Sequence, residues 1–236
     1  MNKGKNNPDD TAAVLQRTDL FKELSNSERE QVSKVVKWKS YRKETEVIPH
    51  MGQDEDVYII ACGRVTVTIF SFDGKEISYQ ELGPGETFGE LSAIDQLPRT
   101  ANVITLEASQ IGTLHRKDYW RLINLYPSVA AATLKRLAGL VRFLVDRVYQ
   151  YGALDVNSRI RMEILRLAGE NRLEEGMVSI QNFPTHKEIA SRVNTHREAV
   201  TRELNDLSRL GIIKQNKRVL TVVDLSKLTE LLPEVH

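Results

Sequence analysis

The sequence predicts an α+β chain in three parts: an N-terminal β-roll, a long helix, and a C-terminal winged helix-turn-helix. Three observations support this. Residues 45–115 alternate apolar and polar between regularly placed glycines. Residues 134–151 repeat apolar side chains at helical spacing, and residues 185–222 read as helix, turn, helix and hairpin in that order. At 236 residues and 41% hydrophobic the chain is long enough to fill two separate cores.

The first twelve residues read as a polar tail, since "MNKGKNNPDD" has no apolar core behind its lysines and does not resemble a signal peptide. The β-roll domain is expected over residues 13–128. Gly52, Gly63, Gly74, Gly83, Gly85, Gly89 and Gly112 punctuate it, and "VYIIACGRVTVTIF" and "KEISYQELG" supply β-branched and aromatic residues. Asp73-Gly74 in "SFDGKE" lies between two such segments and signals a hairpin. Cys62 is expected to be a small buried hydrophobe.

A dimerisation helix is expected over 129–152. Leu134, Leu137, Val141, Leu144, Val148 and Tyr151 step by three and four, the a/d spacing of a two-stranded seam, with Arg136, Arg142, Asp146 and Arg147 beside it. A parallel homodimer follows from that pattern. In "ALDVNSRIRMEILRLAGE", Asp155 is placed to cap a new helix and Gly169 to end it. Gly152 to Asp155 is therefore the expected hinge, and a second domain is expected over 153–236.

In that domain Thr185 caps a short helix with Ile189 and Val193 facing inward. A turn follows at Asn194-Thr195, then a helix from about His196 with Val200, Leu204 and Leu207 on one face. "IIKQNKRVLTVV" then forms two strands of a wing about a turn near Asn216. Although the whole chain carries only +1, residues 185–218 hold eight basic and four acidic residues, a local +4 suited to double-stranded DNA. Arg197 and Glu198 open the second helix and Arg202 follows one turn later, where a recognition helix meets base edges. Thr185, His186 and His196 stand at the helix starts, placed for phosphate contacts.

"FGELSAIDQLPRTA", residues 88–101, is the other specific stretch. Gly89 lets the backbone turn toward an anion, Arg99 can clamp it bidentately, Thr100 can add a hydroxyl, and Glu90 can accept from a sugar hydroxyl. An acid for a ribose and an arginine for a phosphate describe a nucleotide site with no catalytic base. No P-loop or nucleophile elbow occurs, the five histidines never fall at metal-ligand spacing, and no enzyme is expected.

This stretch resembles the phosphate-binding cassette of cyclic-nucleotide-binding domains. With the long helix and "THREAVTREL", nearly the whole chain resembles the cyclic-AMP receptor protein family, the Crp–Fnr transcription regulators. The resemblance implies that Gly89, Glu90 and Leu91 line ribose and phosphate, that Arg99 and Thr100 hold the cyclic phosphate, and that Arg197, Glu198 and Arg202 read a TGTGA-like half-site. It also places Leu144 and Val145 where the best-known relatives present hydroxyls to adenine. These two cannot hydrogen-bond through their side chains, which leaves the base open: the resemblance implies cyclic AMP as effector, and Thr100, at a position where related domains use threonine to favour guanine, implies cyclic GMP as a second ligand. The other expectations are an unregulated protein of the same fold, or one tuned to another effector. The single cysteine excludes an iron–sulfur cluster of the Fnr kind. A cytoplasmic, membrane-free setting is expected, with RNA polymerase a partner near the loop at Glu170 to Gln181.

Overall fold

A run of five buried residues, Val57 to Ala61, sets the layering of the first half of the chain. The computed structural model describes residues 8–71, 76–169 and 177–233. These divide into two compact units, Met1–Val141 and Arg142–His236.

The first unit contains α1 (Pro8–Arg17), α2 (Asn26–Ser33), β1 (Val36–Tyr41), β2 (Glu46–Ile48), β3 (Val57–Cys62), β4 (Val65–Phe70), β5 (Glu76–Leu82) and β6 (Thr87–Phe88). It continues with α3 (Glu90–Asp95), β7 (Asn102–Thr105), β8 (Ser109–Leu114), α4 (Arg116–Leu125) and the first part of α5 (Pro127–Ala153). Two antiparallel four-stranded sheets, ordered β1-β8-β3-β6 and β2-β7-β4-β5, make the roll.

β3 does not alternate because both its faces are covered. Val57 and Ile59 pack with Leu15 of α1, Phe21 of the turn after it, Tyr119 of α4 and Val129 of α5. Tyr58 and Ile60 pack with Ile48, Val65, Leu82, Val103 and Ile111 between the sheets. The strands on either side of Asp73-Gly74 pair antiparallel, Phe70 opposite Glu76, and the turn itself lies outside the described residues.

Two expectations need correction here. α1 begins at Pro8, inside the stretch read as a polar tail, because Val14 and Leu15 bury against Phe21 and the roll, and Pro at the first helical position costs no hydrogen bond. Cys62 is exposed rather than buried, since it ends β3 beside the turn at Gly63.

The second unit holds the rest of α5, α6 (Val156–Gly169), β9 (Val178–Ile180), α7 (His186–Arg192), α8 (Arg197–Arg209), β10 (Ile213–Asn216), β11 (Val219–Val222) and α9 (Leu225–Glu230). Asp155 Oδ1 accepts from Ser158 N at 2.7 Å and so opens α6. Ile160, Ile164, Ile189, Val200, Leu204, Leu207 and Leu220 fill the core. The wing sheet runs β10-β11-β9. Its third strand corrects the reading of residues 170–181 as a loop: Val178 and Ile180 are buried, and pairing with β11 supplies the order that three residues could not signal alone. Residues 170–176 of that loop lie outside the described set.

Along α5, Val129 and Thr133 are buried, while Leu134, Val141 and Val148 are 68%, 60% and 72% exposed. These last three are spaced by seven and form one apolar stripe with Leu144 and Val145. Among the described residues no helix is long and apolar enough to cross a membrane.

Candidate cyclic-nucleotide and DNA interfaces

Between the end of β6 and the start of β7 the chain makes a sharp turn around an open cavity of about 510 Å³, solvent at its mouth included. Gly89 has φ 87°, which an L side chain rarely adopts, and a Cβ there would stand 2.7 Å from Arg99 Nη1 and 2.8 Å from the Asp56 carbonyl oxygen. The turn delivers Glu90 to the first position of α3, where it is buried. Glu90, Leu91, Ser92, Arg99 and Thr100 line the cavity together with Ile48, Val67, Leu82 and Val103, so both polar and apolar side chains border it.

Two ion pairs hold the charged side chains of this lining. Glu90 Oε1 accepts from Arg136 Nε on α5 at 2.8 Å. Arg99 is buried and held by the loop before β3: Nε donates to Asp54 Oδ2 at 3.1 Å, Nη2 donates to Asp54 Oδ1 and, at 2.7 Å, to the Asp56 carbonyl, and Nη1 donates to the Gly89 carbonyl at 2.7 Å. Glu90 and Arg99 are therefore not partners of each other. Burial would raise the Asp54 carboxyl, but its hydrogen bond to Arg99, the guanidinium charge and the Tyr58 hydroxyl outweigh this and hold it below the usual carboxylate range. Tyr58 stacks on Phe88 with centroids 5.1 Å apart and lies under the Arg99 guanidinium at 5.6 Å, a floor that fixes the arginine's plane. Burial and the neighbouring Asp54 carboxylate push the Tyr58 phenol well up.

In the second unit, Thr185 forms a capping box: its Oγ accepts from Glu188 N at 3.3 Å and Glu188 Oε2 accepts from Thr185 N at 2.6 Å. His186 Nδ1 lies 2.8 Å from Thr201 Oγ1. Thr201 donates its hydroxyl proton to the Arg197 carbonyl, which leaves the hydroxyl oxygen to accept from His186 Nδ1. This contact ties the start of α7 to α8. His196, the N-cap residue of α8, makes no side-chain capping bond and is exposed. Arg197, Glu198 and Arg202 are exposed along the first turns of α8, with no ion pair among the described residues. Glu203 instead is buried and accepts from Arg161 Nε on α6 at 2.6 Å. At the wing tip, between Asn216 and Val219, Lys217 takes φ 52°, and Lys214, Lys217 and Arg218 are exposed.

Residues 38–126 match the family model "Cyclic nucleotide-binding domain", and residues 158–231 match "Crp-like helix-turn-helix domain". The chain belongs to the Crp–Fnr family of transcription regulators. Among curated Crp-like relatives, the "Cyclic AMP receptor protein" of Thermus thermophilus is 29% identical over 175 residues, 74% of this chain and 78% of its own. The "CRP-like cAMP-activated global transcriptional regulator" of Mycobacterium tuberculosis is 26% identical over 216 residues, 91% of this chain and 96% of its own. The Crp–Fnr fold is shared with two solved structures. A CooA variant from Carboxydothermus hydrogenoformans has TM-score 0.75 at 22% identity, covering 85% of this chain and 89% of its own. The c-di-GMP responsive regulator CLP from Xanthomonas campestris has TM-score 0.74 at 18% identity, covering 84% and 99%.

Of the cassette residues expected to meet ligand, Gly89, Glu90, Leu91, Arg99 and Thr100 all line this Crp–Fnr cavity. Leu144 and Val145 do not line it: the last α5 residue on its wall is Leu140, and the other two are exposed on the helix within the second unit. Sequence reasoning missed Arg136, which it took for a charge beside the seam, and Asp54. The spacing of Val129, Thr133, Arg136 and Leu140 by four, three and four marks the inward face of α5 and could have found the first. The acidic run Asp54-Glu55-Asp56, ahead of a strand with both faces apolar, could have found the second.

Proposed function

We propose that this Crp–Fnr chain is a homodimeric regulator switched by cyclic AMP, with cyclic GMP as a second ligand, that in its bound form reads a TGTGA-like palindrome. The observation that supports it most is one cavity lined by Glu90, Arg99 and Thr100 together with apolar Ile48, Val67, Leu82 and Val103, side chains suited to a ribose and cyclic phosphate and to a base. Gly89 and Leu91 complete the ribose side. In this reading residues 13–128 form the sensor, residues 129–152 dimerise along the exposed stripe, and residues 153–236 bind DNA. Leu144 and Val145 meet the base by packing in the assembled dimer, and the cyclic nucleotide favours one packing of the seam, fixing the angle at Gly152 to Asp155.

Arg197, Glu198 and Arg202 then read bases from two recognition helices about 34 Å apart, while Thr185, His186, His196 and the wing lysines hold phosphates. That spacing is one turn of B-DNA, which lets two symmetric helices enter successive major grooves on the same side of the duplex. The protein works in the cytoplasm without a membrane partner, meets RNA polymerase, and performs no catalysis of its own.

Calorimetric titration with each nucleotide, followed by a palindromic duplex, tests this reading. Nucleotide heat followed by nucleotide-dependent DNA binding is expected; equal DNA affinity with and without nucleotide would overturn the switch. One observation favours a second reading, a regulator answering another effector or none. The Arg99 guanidinium already holds a carboxylate, so the cassette cation is neutralised within the chain. Arg99→Ala separates the two: it should abolish the response to cyclic nucleotide and leave a response to an unrelated effector intact.

A further inference from the structure

Arg99 has five N–H donors, and four of them are already engaged among the described residues. Two of the four go to the two oxygens of one carboxylate, that of Asp54. A guanidinium presents the same fork to a carboxylate and to a phosphate, so Asp54 occupies an edge through which a cyclic phosphate would be held bidentately. The arrangement is built in rather than incidental. Met51 N donates to the Arg99 carbonyl at 2.9 Å, Arg99 N donates to the Gly52 carbonyl at 3.0 Å, and Gly52 N donates to the Pro49 carbonyl at 3.0 Å, so the loop bearing Asp54 is pinned to the arginine's own backbone. The Tyr58 hydroxyl donates at 3.0 Å to Asp54 Oδ1, the same oxygen that Arg99 Nη2 meets, and so helps to hold the carboxylate.

The two partners differ in their access to water. The Arg99 side chain is 3% exposed, whereas that of Asp54 is 38% exposed. A carboxylate so placed can turn into solvent at little cost, while the arginine cannot leave and requires an anion where it stands.

Resting on the reading of the cavity as a cyclic-nucleotide site, we propose that Asp54 is an internal anion that competes with the ligand's phosphate for Arg99. Its carboxylate keeps the unliganded domain stable and sets the nucleotide concentration at which the cavity fills. Binding exchanges one anion for another on the same guanidinium, and the released carboxylate passes to water. Asp54 is thus a residue that determines affinity without touching bound nucleotide.

The test uses the full-length chain. In Asp54→Asn the side chain keeps its shape and loses its charge, and cyclic AMP, or cyclic GMP in a parallel titration, should bind about tenfold tighter, the equivalent of 1.4 kcal/mol. The unliganded variant should melt at a lower temperature than wild type, and nucleotide should raise its melting temperature by more, because the ligand then supplies the only counter-charge. Should that variant fail to fold, Tyr58→Phe removes the hydroxyl that steadies Asp54 and leaves the ion pair, with binding expected to be about two- to threefold tighter. Wild type that titrates normally, with unchanged or weaker affinity in Asp54→Asn (or in Tyr58→Phe if it stands in), overturns the proposal and identifies Asp54 as a mere support for the arginine. No heat from wild type or variant with either nucleotide would instead overturn the cyclic-nucleotide reading, and this inference with it.

Discussion

Gly89 and Glu163 show how little room single residues leave in this chain. A methyl group at residue 89 would meet the Arg99 guanidinium and the Asp56 carbonyl, neither of which can give way, on a backbone already in the left-handed region. Gly89→Ala should cost about 2–3 kcal/mol in urea unfolding of the first unit and abolish nucleotide binding. In the second unit, Glu163 is buried on α6 and accepts from Arg166 at 2.7 Å and from Arg192 of α7 at 3.0 Å. Burial alone would raise its pKa; its hydrogen bond to Arg166 and the charges of the two arginines prevail and lower it. A carboxylate whose folded-state pKa lies below its unfolded value of about 4.5 stabilises in full above that value. The contribution is lost as the pH falls from there through the lower folded value. Stability of the DNA-binding unit should therefore decline on acidification below about pH 4.5. Glu163→Gln should flatten that decline in a melting series against pH, and Glu163→Ala should cost about 3–5 kcal/mol near neutrality by removing the buried carboxylate that Arg166 and Arg192 share.

Among the elements, α7 depends on its first residue and α5 on what covers its outer face. Thr185→Ala removes one half of the capping box and should lower stability by about 1 kcal/mol, read as a shift of the urea midpoint. Val141→Asp with Val148→Asp should leave each chain folded and halve its mass in sedimentation, if the exposed stripe is the dimer seam as proposed. Elements of this kind were legible from sequence because their signals are local. Thr185 and Glu188 lie three apart, the α5 stripe repeats by seven, and the wing alternates over a few residues. The contacts of the candidate site were not. Arg99 meets Asp54 across 45 residues and Arg136 meets Glu90 across 46, and no periodicity links such positions. β9 was hidden for the same reason: three residues become a strand only when β11 is laid beside them. α1 was missed because the polar start drew attention from Val14 and Leu15, whose burial depends on a roll assembled later in the chain.

For the molecule as a whole, DNA affinity should rest on the charge gathered in residues 185–218 rather than on the near-neutral total. Binding to a palindromic duplex should fall with salt along a log–log slope of about −0.9 for each phosphate neutralised. Lys217→Ala should reduce that slope by about one with little change in sequence preference, whereas Arg202→Ala should relax preference at one base position at a cost of about 1–3 kcal/mol. The lone thiol at the end of β3 has a practical consequence for such measurements. Cys62 is the chain's one cysteine and it is exposed, so a maleimide dye attaches at a single, defined place without any engineered site. If the chain dimerises as proposed, two batches coloured differently and mixed would report the exchange of protomers as energy transfer, and the rate at which that signal grows, with and without nucleotide, would give the lifetime of the pair.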